Sequence, residues 1–142
     1  MNERLLLDTH IVLWLDSGAE RLRRGTRALI DQCWSGGGTL FVSSVTAWEI
    51  SLLADTGRIA LDLPVVDWLE RFMARSGLET APLSWRAAAG AYGWPQFEYR
   101  DPADRLLIAT AIELNCPLVT YDERIAAFGH IHGGVHGFRV AA

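Results

Sequence analysis

The chain has 142 residues, half of them apolar and 21% charged, which is the composition of a folded domain rather than of a disordered chain. All 13 basic residues are arginine, and the absence of lysine excludes both a phosphate-binding P-loop and Schiff-base chemistry, because each requires the lysine amine. The net charge of −4 argues against binding nucleic acid through overall charge, although bound cations can reverse the field around clustered acids.

Nothing in the sequence indicates export or membrane insertion. No apolar run reaches the roughly 20 residues that a transmembrane helix requires. The segment from Met1 to Arg4 leads directly into a short apolar run and lacks the pattern of a signal peptide. Cys33 and Cys116 lie far apart and outside any CxxC pair, so we expect both to be buried and free of a disulfide. We therefore expect a cytoplasmic protein.

Strand-like and helix-like segments alternate in the first half of the chain. The apolar run at residues 5–7 predicts a buried strand that ends at Asp8. A helix is predicted from residue 10 to about residue 17, and a second from 20 to 34, where three glycines end it. Residues 39–42 predict a second strand, followed by a helix at 45–54 with Ser43 or Ser44 as its N-cap.

The alternation continues in the second half. A short extended piece is predicted at 59–63, and Pro64 then opens a helix at 65–75. A third strand at 78–83 precedes a helix that runs from its cap, Ser84, through residue 92, and residues 93–101 are irregular. A strong helix begins at Pro102 or Ala103 and runs to residue 114, and strands at 118–120 and 138–140 follow.

This order of elements predicts an α/β fold in a single domain, residues 1–142, with a mainly parallel sheet covered by helices on both faces. In such sheets ligands bind beyond the carboxyl ends of the strands. Asp8 and Asp122 follow predicted strands, whereas Glu49 and Asp104 lie near the starts of predicted helices. All four acids are therefore expected at the same edge of the sheet.

Clustered carboxylates repel one another unless cations lie between them, so this grouping indicates a hard divalent metal. Taken singly, each acid also fits an ordinary structural role. Asp8 or Asp122 could be a turn or cap residue, and Glu49 could lie on a helix surface. Asp104 could complement a helix dipole or pair with Arg105. The joint placement is what favours a metal site.

Four stretches in order, spanning nearly the whole chain, resemble a known family: LLLDTH at 5–10, VSSVTAWEI at 42–50, RDPADRLLIA at 100–109 and LVTYD at 118–122. With them the sequence is similar to PIN-domain ribonucleases, specifically to VapC-type toxins of type II toxin–antitoxin pairs. The resemblance implies a PIN-like three-layer α/β/α sandwich with four or five strands in its sheet. It also implies an RNA substrate, a cognate antitoxin as partner and a homodimer.

The resemblance further implies a site that hydrolyses phosphodiester bonds with Mg²⁺ or Mn²⁺. Its catalytic and metal-binding residues would be Asp8, Glu49, Asp104 and Asp122. Asp101 is a secondary neighbour. Where the family pattern often has His two residues before that Asp, this chain has Tyr99.

Several polar residues near these acids have two interpretations. The hydroxyls of Thr9 and Thr120 could position a water or a phosphate, or could be buried structural groups. His10 could contact a phosphate or pack at the start of its helix. A basic cluster, in which the second and fourth members share a predicted helical face, could contact RNA or a partner or could be a solvated surface: Arg21, Arg23, Arg24 and Arg27.

Histidines and tryptophans supply weaker signals. His130, His132 and His136 lie in a Gly-rich stretch that we expect to be a surface loop, and without Cys or Glu companions they do not favour zinc. Trp14 and Trp48 are predicted to be core residues. Three other tryptophans are candidates for a partner-facing surface: Trp68, Trp85 and Trp94.

Two other classes of protein compete with the nuclease hypothesis. Aspartate-nucleophile phosphohydrolases need a second Asp where this chain has His10, and both they and receiver domains need a lysine, which is absent. The other alternative is a binding module that keeps the fold without cleaving. Metal binding and cleavage of a mixed RNA pool, with and without Mg²⁺ or Mn²⁺, would distinguish these hypotheses.

Overall fold

A parallel β-sheet forms the middle layer of the structure, a computed structural model that describes residues 3–142; Met1 and Asn2, the start of the segment predicted to lack a signal peptide, lie outside this range. Its strands are β1 (Arg4–Leu7), β2 (Thr39–Ser43), β3 (Leu78–Ala81), β4 (Leu118–Val119) and β5 (Val140–Ala141). They lie in the order β3-β2-β1-β4-β5, and every neighbouring pair is parallel. All five carboxyl ends therefore meet at one edge.

Helices cover both faces of this sheet: α1 (Thr9–Ser17), α2 (Arg24–Ser35), α3 (Ser44–Asp55), α4 (Val65–Met73), α5 (Trp85–Gly90), α6 (Pro102–Leu114) and α7 (Glu123–His136). Because side chains alternate along a strand, Leu5 and Leu7 of β1 pack with α1, α2 and α4, whereas Leu6 packs with α5, α6 and α7. Helix α3 contributes to both cores. The predicted three-layer α/β/α architecture is confirmed.

Three helices begin at the carboxyl edge with an aspartate as N-cap. The side chains of Asp8, Asp101 and Asp122 accept hydrogen bonds from backbone N–H groups in the first turns of α1, α6 and α7. An N-cap carboxylate satisfies amides that have no partner within the helix and is favoured by the positive end of the helix dipole. The local folding signals of these helices therefore also bring carboxylates to one edge.

The region between α1 and α2 differs from the prediction. Residues 20–34 were expected to form one helix, but Ala19–Arg21 form a short 3₁₀ turn and α2 begins only at Arg24. The chain is extended at Leu22 and Arg23, where the side chain of Leu22 is buried and the hydroxyl of Tyr121 accepts a hydrogen bond from the Arg23 N–H. Arg23 and Arg27 therefore do not share a helical face, because Arg23 precedes the helix.

Two further predictions about elements are wrong. Residues 59–63 form no strand; Ile59 and Leu61 pack on the core without pairing to a strand within the described part of the chain. The stretch with three histidines is not a loop but the second half of α7. Several glycines in this stretch are typical of a loop. Gly133 is instead required by packing, because a Cβ there would lie 2.3 Å from the carbonyl oxygen of Phe138.

The predicted burial of the tryptophans is partly wrong, whereas the prediction for the cysteines is confirmed. Trp48, predicted to be in the core, is 53% exposed, whereas Trp68 and Trp94 are buried and so cannot face a partner; Trp85 is exposed. Cys33 and Cys116 are buried and free, as expected. Among the helices of residues 3–142, none is long and apolar enough to cross a bilayer.

Candidate active site

The four predicted carboxylates line one cavity of about 220 Å³ at the carboxyl edge of the sheet. Asp8 follows β1, Asp122 opens α7, Asp104 lies in the first turn of α6, and Glu49 projects from the second turn of α3. The remaining lining residues are Thr9, His10, Leu13 and Leu53.

Two buried hydroxyls orient two of these carboxylates. The hydroxyl of Thr120 donates a 2.6 Å hydrogen bond to Oδ2 of Asp8, whose Oδ1 accepts from the Thr9 backbone N–H at 2.7 Å. The hydroxyl of Thr9 donates to Oε1 of Glu49. Thr9 and Thr120 are 5% and 2% exposed, so both hydroxyls are buried against the carboxylates that they contact.

Asp101 lies beside the cavity. Its Oδ1 accepts from the backbone N–H groups of Ala103 at 2.9 Å and Asp104 at 3.3 Å, which fixes the first turn of α6. Its charge contributes to raising the pKa values of both Glu49 and Asp104. Asp101 thus acts on the site through helix capping and through its field.

The pKa shifts show that this cavity accommodates negative charge poorly. Burial, together with repulsion from Asp101, Asp122 and Asp8, raises the pKa of Asp104 to about 7. Burial also raises the pKa of Glu49, partly opposed by the hydrogen bond from Thr9. A bound cation would relieve this repulsion, and oxygen ligands are those that Mg²⁺ and Mn²⁺ prefer.

Arg124 is a site residue that the sequence analysis missed. Its Nη2 lies 3.0 Å from Oδ2 of Asp122 and 3.4 Å from Oδ2 of Asp104. Burial alone would raise the pKa of Asp122, but the hydrogen bonds from Arg124 and from the Ile125 backbone outweigh it and lower the pKa. Its pairing with Asp122 has a local signal, since Arg124 follows this N-cap residue by two positions at the start of α7, whereas its pairing with Asp104 has none.

His10 is packed at the rim of the cavity. Its Nε2 accepts a hydrogen bond from the Tyr121 backbone N–H at 3.1 Å, and its Nδ1 lies 3.7 Å from Oδ2 of Asp8. The basic cluster lies nearby on the surface: Arg21 stacks on Trp14 and Arg23 on Tyr121, while Arg24 and Arg27 are exposed on α2.

In their present positions, the four carboxylates do not form a complete set of metal ligands. Within residues 3–142, no three His, Cys, Asp or Glu side chains are grouped closely enough to do so. Thr9 holds one Glu49 oxygen, and Arg124 bridges Asp104 and Asp122. The donor set fits a hard cation, because four carboxylates share one cavity and two of them have raised pKa values.

Comparisons with known proteins agree with this architecture. The sequence profile of the PIN domain matches residues 5–131. The chain is 33% identical over 126 residues to Ribonuclease VapC22 of Mycobacterium tuberculosis, covering 89% of this chain and 92% of that protein.

Solved structures share the fold at lower sequence identity. VapBC2 from Rickettsia felis, crystallised with a DNA fragment from its promoter, superposes with a TM-score of 0.66 at 18% identity and covers 97% of both chains. A toxin–antitoxin complex from Klebsiella pneumoniae gives a TM-score of 0.62 at 22% identity, over 97% of this chain and 96% of that one. Profile, relative and fold agree, and the chain belongs to the PIN-domain family and, within it, to the VapC type.

Proposed function

We propose that this PIN-domain protein is a Mg²⁺- or Mn²⁺-dependent endoribonuclease that acts as the toxin of a toxin–antitoxin pair in the cytoplasm. The observation that carries the proposal is the cavity in which Asp8, Glu49, Asp104 and Asp122 converge. The raised pKa values of two of these acids support it, because such carboxylates gain most from a cation. The ribonuclease name of the M. tuberculosis relative supports RNA as the substrate.

The carboxylates would hold the cation, which supplies charge for activating a water and for stabilising the leaving oxygen during in-line hydrolysis. The chain's own residues set the geometry. Thr120 and Thr9 orient Asp8 and Glu49, and the α6 cap at Asp101 fixes the turn that carries Asp104. Catalysis of this type depends on positioned ligands, so the buried hydroxyls act as positioning groups.

An antitoxin and a second copy of the chain are the proposed protein partners. The relatives solved as toxin–antitoxin complexes support the antitoxin. A net-negative protein with an acidic cavity suits a partner that places an Arg or Lys there while an apolar helix packs nearby. For self-association, the structure offers an apolar groove that is exposed at Trp48 and Leu83. It is here named the Trp48 patch and is lined by Ser44, Val45, Trp48, Leu83, Pro102 and Leu106.

The test is cleavage of a mixed RNA pool by the purified protein with Mg²⁺, with Mn²⁺ and with a chelator. We expect cleavage only with metal, and loss of cleavage in Asp104→Asn and Glu49→Gln, each of which keeps the side-chain size while removing a ligand charge. Asp62→Asn, on an exposed acid outside the cavity, is the control and should cleave like the parent. Intact RNA with a folded parent and both metals would favour the non-cleaving binding module.

Toxicity is tested separately. Expression of the parent should arrest growth, expression of Glu49→Gln should not, and co-expression of the partner encoded beside the toxin should restore growth. Equal arrest by parent and variant would show that toxicity does not come from the acidic site.

A further inference from the structure

Arg124 bridges two of the four carboxylates of the candidate active site. Its Nη2 donates to Oδ2 of Asp122 at 3.0 Å and to Oδ2 of Asp104 at 3.4 Å, and its Nε donates to Oδ1 of Asp122 at 3.3 Å. Because Nη2 contacts Oδ2 of both aspartates, a cation bound by these two oxygens would occupy the position of the guanidinium. Arg124 and a metal ion therefore compete for the same oxygens.

The threonines of the site do not contact Asp104 and so do not compete with Arg124 for it. Thr120 and Thr9 instead contact Asp8 and Glu49. In the described chain, residues 3–142, Arg124 is the one arginine that forms an ion pair with any of the four site acids. Its guanidinium is therefore the main local compensation for the charge of Asp104 and Asp122.

We propose that Arg124 is a built-in counter-ion of the metal-free site, and that a divalent cation binds by displacing its guanidinium from Asp104 and Asp122. The inference rests on the proposed function, since it assigns a regulatory role to a residue of the same site. Arg124 thereby sets the cation concentration at which the site becomes loaded.

The surroundings of Arg124 keep the free-energy cost of this displacement small. Its side chain is 44% exposed, so it can move into solvent without disturbing the core. The guanidinium also lies 4.7 Å from the ring centre of Tyr99, a contact that it can keep after leaving the carboxylates. Asp104 and Asp122 are less exposed, at 14% and 21%, and a divalent cation brings them twice the positive charge of the guanidinium.

The carboxylates keep their positions when Arg124 leaves. Oδ1 of Asp122 still accepts from the backbone N–H groups of residue 124 at 2.9 Å and of Ile125 at 3.2 Å. Asp104 is held in the first turn of α6 by the cap at Asp101. Removing the Arg124 side chain should therefore leave both carboxylates in their positions rather than collapse the site.

The experiment measures Mn²⁺ binding by calorimetry, without RNA, for the parent, Arg124→Gln, Arg124→Lys and Arg86→Gln. Arg124→Gln should bind Mn²⁺ about three- to tenfold more tightly, because an exposed ion pair no longer has to be broken. Arg124→Lys keeps the charge but loses the forked geometry, so its affinity should fall between the two. Arg86, exposed and stacked on Trp85, is the matched control for loss of one positive charge.

A second readout is thermal stability. In chelator, Arg124→Gln should melt below the parent, because the repulsion between the acids is uncompensated, and saturating Mn²⁺ should narrow this gap. Equal or weaker Mn²⁺ binding by a folded Arg124→Gln, or equal tightening in Arg86→Gln, would overturn the inference alone. Failure of every variant and of the parent to bind Mn²⁺ would instead overturn the metal-dependent function on which the inference rests.

Discussion

Asp104 combines burial with three acidic neighbours, and its pKa of about 7 means that it is partly protonated near neutral pH when no metal is bound. Asp122, only one helix away, has a lowered pKa because it receives hydrogen bonds from Arg124 and from the start of α7. Two aspartates in one cavity therefore differ in protonation through their contacts. That difference makes the site sensitive to pH in a predictable direction.

The first prediction concerns the pH dependence of stability. Because the folded-state pKa of Asp104 lies above its ordinary value of 3.8, its contribution to stability is fully present below that value and is lost as pH rises through about 7. Asp104→Asn removes this loss. In chelator, the variant's advantage in unfolding free energy should widen by about 1–3 kcal/mol between about pH 4.5 and about pH 8.

Urea unfolding at both pH values measures this change. Asp62→Asn is the control: the hydrogen bond from Arg71 lowers the pKa of Asp62 below its ordinary value of 3.8, so Asp62 is ionised at both pH values and the effect of removing its charge should be the same at each. An advantage of Asp104→Asn that stays constant with pH would show that Asp104 is ionised throughout this range.

The second prediction concerns the hydroxyl behind Asp8. Thr120 donates to Oδ2 of Asp8 and accepts from the Asp122 backbone N–H at 3.0 Å, so Thr120→Val leaves both groups without a buried partner. We expect a loss of about 1–3 kcal/mol of stability and weaker Mn²⁺ binding. Thr120→Ser, which keeps the hydroxyl, should restore metal binding. A Val variant that binds Mn²⁺ like the parent would show that the hydroxyl does not position Asp8.

At the scale of elements, α6 carries both Asp104 and the residue that fixes the irregular segment before it. Arg105 is 3% exposed, and its guanidinium donates to the backbone carbonyls of Ala91 at 2.9 Å, Tyr99 at 2.7 Å and Phe97. Residues 91–101 form no strand or long helix, and these hydrogen bonds fix their backbone instead. The segment ends at Asp101, the cap of α6, so Arg105 connects the loop to the site.

The third prediction follows from this contact. Arg105→Met keeps an apolar chain but leaves the buried carbonyls without donors, so it should cost about 2–4 kcal/mol of stability. Arg105→Lys, with a single charged nitrogen, should recover part of that loss. Guanidinium unfolding measures both changes. A Met variant as stable as the parent would show that water replaces the guanidinium, and that the loop does not need it.

Elements whose signals are local could be predicted from the sequence. Helix α6 has its Asp-Pro start and its end at Asn115, whose left-handed φ of 52° Asn tolerates. Helix α7 was not predicted because its glycines are typical of loops. The close approach of the Phe138 backbone explains why residue 133 is glycine, and this contact cannot be seen in the sequence. The site acids could be placed because parallel strands end at one edge. The position of Arg124 could not be predicted, because its pairing with Asp104 depends on how α6 and α7 pack against each other.

At the scale of the whole molecule, the Trp48 patch has the character of a protein interface. Trp48 is 53% and Leu83 37% exposed, and they border an apolar cavity of about 450 Å³ on α3 and the start of α6. Exposed tryptophan within an apolar patch is typical of interface cores. Trp48 precedes Glu49 on α3, so an interface at the patch would lie close to the candidate active site.

The fourth prediction is that this patch mediates self-association. The double variant Trp48→Gln, Leu83→Gln should sediment as a monomer under conditions in which the parent is a dimer, because two apolar anchors are lost. Val135→Gln, at a residue that is 82% exposed on α7, is the control and should leave the mass unchanged. A double variant that sediments like the parent would exclude this patch as the dimer interface.

The position of β4 has a consequence for the order of events during protein synthesis. Asp8 is made 112 residues before its partner Thr120, and β4 pairs directly with the central β1. Chains grow at about 5–20 residues per second, so a nascent molecule spends several seconds without a complete acidic cavity. The growing chain therefore has no closed acidic cavity until Thr120 and β4 have been made. An antitoxin translated before that moment would already be present when the nuclease site closes.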